Sequence, residues 1–191
     1  PGLSAIRLNP AQKNALKGLQ EAPGTTKVLF GVTGSGKTNI YLKLAQDVLN
    51  NHKSTILLVP EIALTGQLVQ VFGKVFGDSV VMIHSKQTEA ERHLIFERIL
   101  LSKEPLVVIG PRSALFAPLS NLGLIIIDEE HETTYFQENA PRYSAIRVAS
   151  FIAKQVNCPL ILGSATPSIE DYYLASRQGA AIELLEKAKT T

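Results

Sequence analysis

The sequence predicts an α/β domain built on one open, mostly parallel β-sheet with helices on both faces. Six short apolar runs are separated by longer stretches whose apolar residues recur three and four positions apart. The runs are continuously apolar rather than alternating, which is typical of strands buried on both faces of a parallel sheet. Regular alternation of strand and helix then implies right-handed crossovers within a single sheet.

The individual elements follow from these two patterns. The predicted strands cover residues 26–30, 54–59, 79–84, 105–110, 122–128 and 159–165. The predicted helices cover residues 37–50, 65–76, 88–102 and 143–156, each with one apolar stripe. Thr88 and Glu91 have the spacing of a capping box. We interpret residues 1–191 as one domain, and we expect the polar tail, about 180–191, to fray or to lead into further sequence.

Composition narrows the possible functions. The net charge is only +2, so any contact with nucleic acid has to come from local clusters. The single cysteine, Cys158, rules out a disulfide framework and a cysteine-based zinc site, and we expect it to be buried. The chain has neither a membrane-spanning run nor a signal-peptide pattern, which predicts a cytoplasmic location without membrane contact. It begins with Pro1 and its only methionine is Met82, so we expect a piece of a longer protein.

Residues 31–38, GVTGSGKT, match the phosphate-binding pattern G-x-x-x-x-G-K-[ST] in full. The loop follows a predicted strand and precedes a predicted helix, and its glycines allow the backbone N–H groups to converge on phosphate oxygens. Lys37 can reach the β- and γ-phosphates, and the Thr38 hydroxyl can ligate Mg²⁺. ATP and Mg²⁺ are therefore the predicted cofactors. The predicted nucleotide-binding residues of this loop are Gly31, Val32, Thr33, Gly34, Ser35, Gly36, Lys37 and Thr38.

The segment LIIIDEEH, residues 124–131, carries acids at the end of a predicted strand. The carboxyl end of a buried parallel strand opens onto the crevice where such sheets bind ligands. We expect Asp128 to hold Mg²⁺ and Glu129 to orient and polarise the attacking water. A strand that ends in acids is, by itself, more often a solvated terminus. The phosphate-binding loop earlier in the chain favours the catalytic interpretation.

Five segments together resemble, in the right order, motifs of the superfamily 2 helicases of DExH type, and their combination resembles the bacterial replication-restart helicases. They are LNPAQKNAL (8–16), VPEIALTGQ (59–67), GPRSALFAP (110–118), DEEH (128–131) and GSATPS (163–168). The resemblance implies a RecA-like P-loop NTPase fold, as the first of two motor lobes. It also implies ATP-driven three-prime to five-prime movement on single-stranded or forked DNA, with primosome and single-strand-binding proteins as partners.

The same resemblance implies roles for particular residues. Gln12 is expected to read the adenine. His131 is expected to join DEEH (128–131), here called the acidic box, to the segment Ser164-Ala165-Thr166. That segment couples nucleotide state to the grip on nucleic acid in the helicases it resembles. His131 is therefore grouped with Lys37, Asp128 and Glu129 as a catalytic residue.

The aromatic-rich segment ETTYFQENAPRY (132–143), which follows the acidic box, is expected by the same resemblance to sense single-stranded DNA. Bases stack on aromatic rings, and arginine neutralises phosphate or stacks on a base. The predicted DNA contacts are Arg112, Ser113, Tyr135 and Arg142. Phe136 and Tyr143 have the alternative of packing beneath the loop, and the segment around Arg112 has the alternative of a plain turn.

Three polar residues near predicted strand ends each have two possible roles. Glu61 and Thr65 either serve DNA binding or cap the helix that follows, and His84 is either structural or a DNA contact. The chain as a whole could also be a P-loop kinase or a non-catalytic partner-binding module instead of a motor lobe. Kinases of this class lack a Ser-Ala-Thr strand end, and a purely partner-binding module would not bind nucleotide.

Overall fold

The computed structural model describes residues 6–22 and 25–186, without the side chains of Thr65 and Asp171. Its helices are α1 (Pro10–Glu21), α2 (Lys37–Asn50), α3 (Gln67–Phe76), α4 (Glu89–Leu101), α5 (Ala145–Val156) and α6 (Ile169–Arg177). Its strands are β1 (Thr26–Gly31), β2 (Ser54–Leu58), β3 (Val80–Met82), β4 (Val107–Gly110), β5 (Leu122–Asp128), β6 (Phe136–Gln137), β7 (Tyr143–Ser144), β8 (Leu160–Ser164) and β9 (Ala181–Leu184).

Seven strands form one parallel sheet in the order β3-β4-β2-β5-β8-β1-β9, which confirms the predicted parallel sheet. Because the strands are parallel, their carboxyl ends meet at one edge of the sheet, here called the carboxyl edge. The seven strands end there at Gly31, Leu58, Met82, Gly110, Asp128, Ser164 and Leu184. β6 and β7 form a separate antiparallel pair within the aromatic-rich segment.

The sheet is buried on both faces. Helices α1, α2 and α3 contribute to one hydrophobic core, and α4, α5 and α6 contribute to the other. Within β5 the side chains alternate between the two cores, with Ile125 and Ile127 in one and Leu124 and Ile126 in the other. All four of these side chains are fully buried, which explains why the strand is apolar throughout rather than at every second residue.

The predicted strands and helices are all present, with ends that differ by at most two residues. The capping box is confirmed, because the Thr88 hydroxyl accepts from the Glu91 N–H at 3.2 Å and the Glu91 carboxylate accepts from the Thr88 N–H at 2.8 Å. Cys158 is buried as predicted, and burial raises the pKa of its thiol to about 11. Across residues 6–22 and 25–186, no helix combines the length and apolarity needed to cross a bilayer.

Helix α6 and strand β9 lie outside the elements that the sequence predicts. Ala181–Leu184 falls in the expected polar tail, yet it pairs in parallel with β1 along one side of the sheet. The run is only four residues long and includes Glu183, so it carries no periodicity that marks a strand. Its pairing with β1 decides its conformation.

The capping role considered for Glu61 is wrong. Glu61–Thr65 forms a turn of 3₁₀-helix, and α3 begins two residues later with Gly66 at its N-cap and no side-chain cap. The Glu61 carboxylate instead accepts a hydrogen bond from the Ser85 N–H at 2.9 Å. The side chain of Thr65, the other candidate cap, lies outside the described residues.

Candidate active site

The phosphate-binding loop connects β1 to α2 at the carboxyl edge. Gly34 and Gly36 have φ angles of 79° and 83°, in the left-handed region where a side chain is disfavoured. A Cβ atom at Gly31 would lie 2.8 Å from the Ser35 hydroxyl oxygen and 3.0 Å from Lys37 Cγ, so only glycine fits there. The spacing of the three glycines is therefore explained by backbone conformation at two positions and by close packing at the third.

Two polar groups of the loop are held inside the protein. Lys37 is 8% exposed, and its ammonium donates to the Gly31 carbonyl at 2.8 Å. The Ser35 hydroxyl is fully buried and has no hydrogen-bond partner among the described residues. Phosphate oxygens are stronger acceptors than a neutral carbonyl, so a bound phosphate would replace the Gly31 carbonyl as the acceptor for Lys37. It would also give the Ser35 hydroxyl an acceptor.

Gln12 supports the loop from α1. Its side-chain oxygen accepts from the Asn9 N–H at 3.0 Å, and its amide nitrogen donates to the carbonyls of Ser35 and Gly36 at 3.3 and 3.4 Å. Gln12 is 2% exposed. Because its amide is bonded to the loop, the structure places Gln12 next to the phosphate site, and its adenine-reading role stays a prediction.

The acidic box follows β5 and faces the phosphate-binding loop. Glu129 has a φ angle of 49°, an uncommon conformation for a residue with a side chain and one that often occurs at functional sites. One of its carboxylate oxygens lies 4.0 Å from the Lys37 ammonium. The tertiary structure thus brings together two predicted catalytic residues that lie far apart in the sequence.

Asp128 is partly withdrawn from solvent. Burial raises the pKa of its carboxyl group, and the hydrogen bond that its Oδ1 accepts from the Tyr41 hydroxyl at 2.9 Å opposes this shift by stabilising the charged form. Thr38 lies in the first turn of α2 at the same edge. A carboxylate and a hydroxyl are the hard oxygen ligands that Mg²⁺ prefers, so Asp128 and Thr38 fit the predicted metal.

The acidic box is also bonded to GSATPS, as predicted. His131 Nδ1 lies 2.7 Å from the Ser164 hydroxyl, which itself accepts from the Thr166 N–H at 3.0 Å. Glu129 Oε2 is 3.6 Å from the same imidazole nitrogen. Ala165 lies between Ser164 and Thr166 and is half-buried. His131 therefore contacts a predicted catalytic acid and the predicted coupling segment at the same time.

The prediction that Tyr135 contacts DNA is wrong for this structure. Tyr135 is 3% exposed, and its hydroxyl donates to the Asp128 carbonyl at 2.6 Å. Phe136, the next residue, is 54% exposed and presents its ring to solvent. Tyr143 packs edge-on against Phe116 with 5.4 Å between the ring centroids. The aromatic-rich segment thus has one ring inside the protein, beneath the acidic box, and a different ring available for stacking.

Arg112 and Arg142 both lie at this segment. Arg112 donates to the Thr134 carbonyl at 2.7 Å and to the Gln137 side chain at 3.3 Å, so it holds the segment from the end of β4. Arg142 is exposed and donates to the Glu138 carbonyl at 2.9 Å. Ser113 is half-buried in the 3₁₀ turn Arg112–Phe116. The contacts of these residues with DNA stay predictions.

The DEAD/DEAH box helicase family profile matches residues 9–174, which is most of the chain and includes the phosphate-binding loop, the acidic box and GSATPS. The chain belongs to the DEAD/DEAH box helicase family.

Sequence similarity to curated relatives supports the assignment of this chain to a helicase family. The replication restart protein PriA of Bacillus subtilis is 50% identical over 158 residues, covering 83% of this chain and 19% of that protein. The PriA of Synechocystis is 46% identical over 175 residues, covering 91% of this chain and 21% of that protein. The chain spans about a fifth of the length of these curated relatives.

Helicases of known structure share the fold. RecG, solved bound to a three-way DNA junction, superposes with a TM-score of 0.67 at 22% identity, covering 96% of this chain and 24% of that one. The Hef helicase domain of Pyrococcus furiosus has a TM-score of 0.64 at 19% identity, covering 96% and 39% of the two chains. At these identities the likeness is one of fold, and it confirms the RecA-like architecture.

Sequence reasoning missed two residues of this helicase site. Tyr41 lies one helical turn after Lys37, so i,i+4 spacing places both on the same side of α2. Glu130 has no predicted role, although it is 4% exposed and accepts a hydrogen bond from the Ser168 N–H at 3.1 Å. β5 and β8 are neighbours in the sheet, so the residues that follow them meet at the carboxyl edge. The sequence does not mark this strand order, and the i,i+4 spacing of Lys37 and Tyr41 was the signal that it did offer.

Proposed function

We propose that this chain is the ATP-binding motor lobe of a DNA helicase that acts in replication restart. One observation carries the proposal: the phosphate-binding lysine faces the acidic box at 4.0 Å, while the box is bonded through His131 to the predicted coupling segment at 2.7 Å. A P-loop kinase or a passive binding module has no need of that second connection. The name of the curated relatives supports the biological context.

The residues of the site divide the chemistry among them. The ammonium of Lys37 leaves the Gly31 carbonyl and donates to phosphate oxygens, where it stabilises developing negative charge. Thr38 and Asp128 would hold Mg²⁺, which supplies further charge neutralisation when it is bound. The Glu129 carboxylate orients the attacking water and polarises it. Tyr41 keeps the Asp128 carboxylate in one orientation.

Coupling to DNA runs through the aromatic-rich segment in this proposal. The Tyr135 hydroxyl is bonded to the carbonyl of Asp128, so a movement of the segment would displace Asp128, the proposed metal ligand. Arg112 is bonded to the same segment on its outer side. A phosphate of bound DNA competes for the Arg112 guanidinium, because a charged acceptor is preferred to the two neutral ones.

The remaining functions belong to the longer protein. We propose three-prime to five-prime movement on single-stranded or forked DNA in the cytoplasm, with primosome and single-strand-binding proteins as partners of regions beyond this lobe. A second lobe is expected to supply arginine fingers, which contribute about 10³–10⁵ in rate in related hydrolases. Residues 1–191 alone are therefore expected to hydrolyse ATP slowly.

The full-length protein tests this function directly. Glu129→Gln should lower DNA-dependent ATP hydrolysis by about 10²–10³-fold, because the amide cannot polarise water as the carboxylate does. Separation of a duplex with a three-prime single-stranded tail should be lost with it. Binding of Mg-ATP, measured by calorimetry, should change little.

Glu132→Gln is the matched control, since it makes the same chemical change three residues away on the exposed side of the segment. It should keep both activities. A wild-type protein that binds ATP but neither hydrolyses it nor separates strands on DNA would contradict the proposed function.

Tyr135→Phe tests the proposed coupling. The ring stays packed while the hydrogen bond to the Asp128 carbonyl is removed. Loss of such a bond costs about 0.5–1.5 kcal/mol, which corresponds to a factor of roughly two to ten in an equilibrium constant or a rate. We expect the stimulation of ATP hydrolysis by single-stranded DNA to fall by that factor, with affinities for nucleotide and DNA unchanged.

The control for Tyr135→Phe is Tyr172→Phe. It also removes a tyrosine hydroxyl that donates to an acceptor, here the Glu183 carboxylate on β9, away from the aromatic-rich segment. It should leave the stimulation intact. Equal stimulation in the wild type and in Tyr135→Phe would mean that DNA signals to the ATP site by another route.

A further inference from the structure

Glu130, the third residue of the acidic box, is buried, whereas the two acids before it are partly exposed. Its exposed fraction is 4%. Acidic side chains are almost never fully buried unless they are paired or hydrogen-bonded. The Glu130 carboxylate accepts a hydrogen bond from the N–H of Ser168, the residue directly before α6, at 3.1 Å. Glu130 therefore belongs to the interior that supports the candidate active site.

The residue before Glu130 has an unfavourable backbone conformation. The φ angle of Glu129 is 49°, in the left-handed region that residues with a Cβ atom rarely adopt. A conformation of this kind persists only where the surrounding structure holds it. A negative φ would turn the Glu129 side chain relative to β5, away from its position 4.0 Å from the Lys37 ammonium. The direction of the proposed water-orienting carboxylate therefore depends on what holds this backbone.

Two hydrogen bonds of Glu130 fix the chain immediately after Glu129. The Glu130 N–H donates to the Gly163 carbonyl at 3.0 Å, and the Glu130 carboxylate accepts from the Ser168 N–H. Gly163 precedes the coupling segment 164–166, and Ser168 follows it. Glu130 is thus bonded on both sides of this segment, through its backbone on one side and its side chain on the other.

The contacts around Glu129 favour a positioning role for Glu130 over a role in helix stability. The Glu129 carbonyl accepts from the Glu132 N–H at 2.9 Å, and this local bond closes a turn without connecting that turn to α6. The bond between Glu130 and Ser168 makes that connection. The dipole of α6 accounts for a carboxylate near its N-terminus, but it does not account for a left-handed residue directly before that carboxylate.

We propose that Glu130 is a positioning residue for ATP hydrolysis, whose bond to Ser168 holds Glu129 in the left-handed conformation that aims its carboxylate at the attacking water. This inference rests on the proposed function, because it requires that Glu129 orients the water. It gives the region around the coupling segment a second connection to Glu129, in addition to the one through His131. Glu130 itself contacts neither nucleotide nor metal in this proposal.

Steady-state ATP hydrolysis by the full-length protein, with saturating single-stranded DNA, tests the role. Glu130→Met keeps the length of the side chain but has no oxygen to accept the Ser168 N–H. We expect kcat to fall by about 10- to 100-fold and KM for ATP to change by less than about twofold, because a misplaced catalytic group slows the reaction without weakening substrate binding. Glu130→Gln keeps an acceptor oxygen and should retain kcat to within about threefold.

Glu170→Met is the matched control, since it makes the same change at an exposed carboxylate in the first turn of α6. It should hydrolyse ATP as the wild type does. Thermal unfolding shows whether each variant is folded at the temperature of the assay. If Glu130→Met does not fold, Glu130→Ala replaces it with the same expected loss of kcat, because its smaller side chain leaves space for a water molecule at the Ser168 N–H.

A double variant shows whether Glu130 acts through Glu129. Glu129→Gln/Glu130→Met should have the kcat of Glu129→Gln to within about twofold, because no carboxylate remains to be positioned. If the two losses multiply instead, Glu130 acts on another group and the inference is overturned. Equal losses of kcat in Glu130→Gln and Glu130→Met also overturn it, since the bond from Ser168 would then not be the deciding contact.

The same measurements keep this inference apart from the proposed function. Loss of hydrolysis in Glu129→Gln together with normal kcat in Glu130→Met overturns the positioning role alone, and a lower Tm in Glu130→Met would then assign Glu130 to stability. Equal hydrolysis by the wild type and Glu129→Gln overturns the role of Glu129 and the positioning role with it.

Discussion

Lys37→Ala is expected to weaken binding of Mg-ATP to this chain by roughly 10- to 100-fold, as judged from the loss of charge-assisted hydrogen bonds worth about 1.5–3 kcal/mol. In the full-length protein, ATP hydrolysis should fall by about 10²–10³-fold, because the ammonium also stabilises charge that develops in the transition state. The substitution also removes the side-chain donor to the Gly31 carbonyl, which costs about 1–3 kcal/mol of stability, so thermal unfolding should be used to show that the variant is folded.

Calorimetric titration with Mg-ATP and Mg-ADP measures the first effect. Lys43→Ala is the matched control, because Lys43 lies on the same helix and forms a surface ion pair with Asp47 at 2.7 Å. It should bind nucleotide as the wild type does. If Lys37→Ala and the wild type bind equally, the phosphate site has been assigned wrongly, whereas loss of binding in both variants would indicate damage to α2.

Gly163→Ala should have the largest effect on stability. A Cβ atom at this position would lie 1.7 Å from the Tyr41 hydroxyl oxygen and 2.9 Å from the ring carbon that carries it. Tyr41 is fully buried, so its ring has no free space to move into. Overpacking of this kind costs about 2–3 kcal/mol, and loss of the hydrogen bond to Asp128 adds to it.

Thermal unfolding measures this cost, with an expected decrease in Tm of roughly 6–12 °C for a domain of this size. The double variant Tyr41→Phe/Gly163→Ala should recover part of the loss, since the oxygen at 1.7 Å is gone and the ring carbon remains close. Gly73→Ala is the control: it lies in α3 with open space around it, and it should gain up to about 1 kcal/mol in helix propensity. Unchanged unfolding of Gly163→Ala would show that Tyr41 adopts another position.

Gly163 also explains why a glycine precedes the coupling segment. It pairs with Asp128 across the sheet, and its carbonyl accepts from the Glu130 N–H at 3.0 Å. The absent side chain leaves room for Tyr41 to reach the Asp128 carboxylate from the neighbouring helix. The glycine in GSATPS is therefore part of the support of the proposed metal site, although nothing in its immediate sequence indicates that.

The sequence alone determined the parts of this protein that depend on spacing along the chain. The loop GVTGSGKT could be identified from the sequence, because phosphate binding needs glycines and a lysine at fixed intervals. The strand that ends in Asp128 could be identified from its continuous apolar run. The parallel sheet followed from runs that are apolar on both faces. The link between His131 and Ser164 came from resemblance, and the structure contains it at 2.7 Å.

Only the tertiary structure decided which side chains of the irregular segments face inward. Tyr135 and Phe136 are adjacent aromatics, and no periodicity distinguishes the ring that bonds to Asp128 from the ring that lies in solvent. Tyr41 and Asp128 are 87 residues apart, and the crossover connections of the sheet bring them into contact. Spacing specifies a local backbone, whereas contacts between distant segments depend on how all the strands are ordered in the sheet.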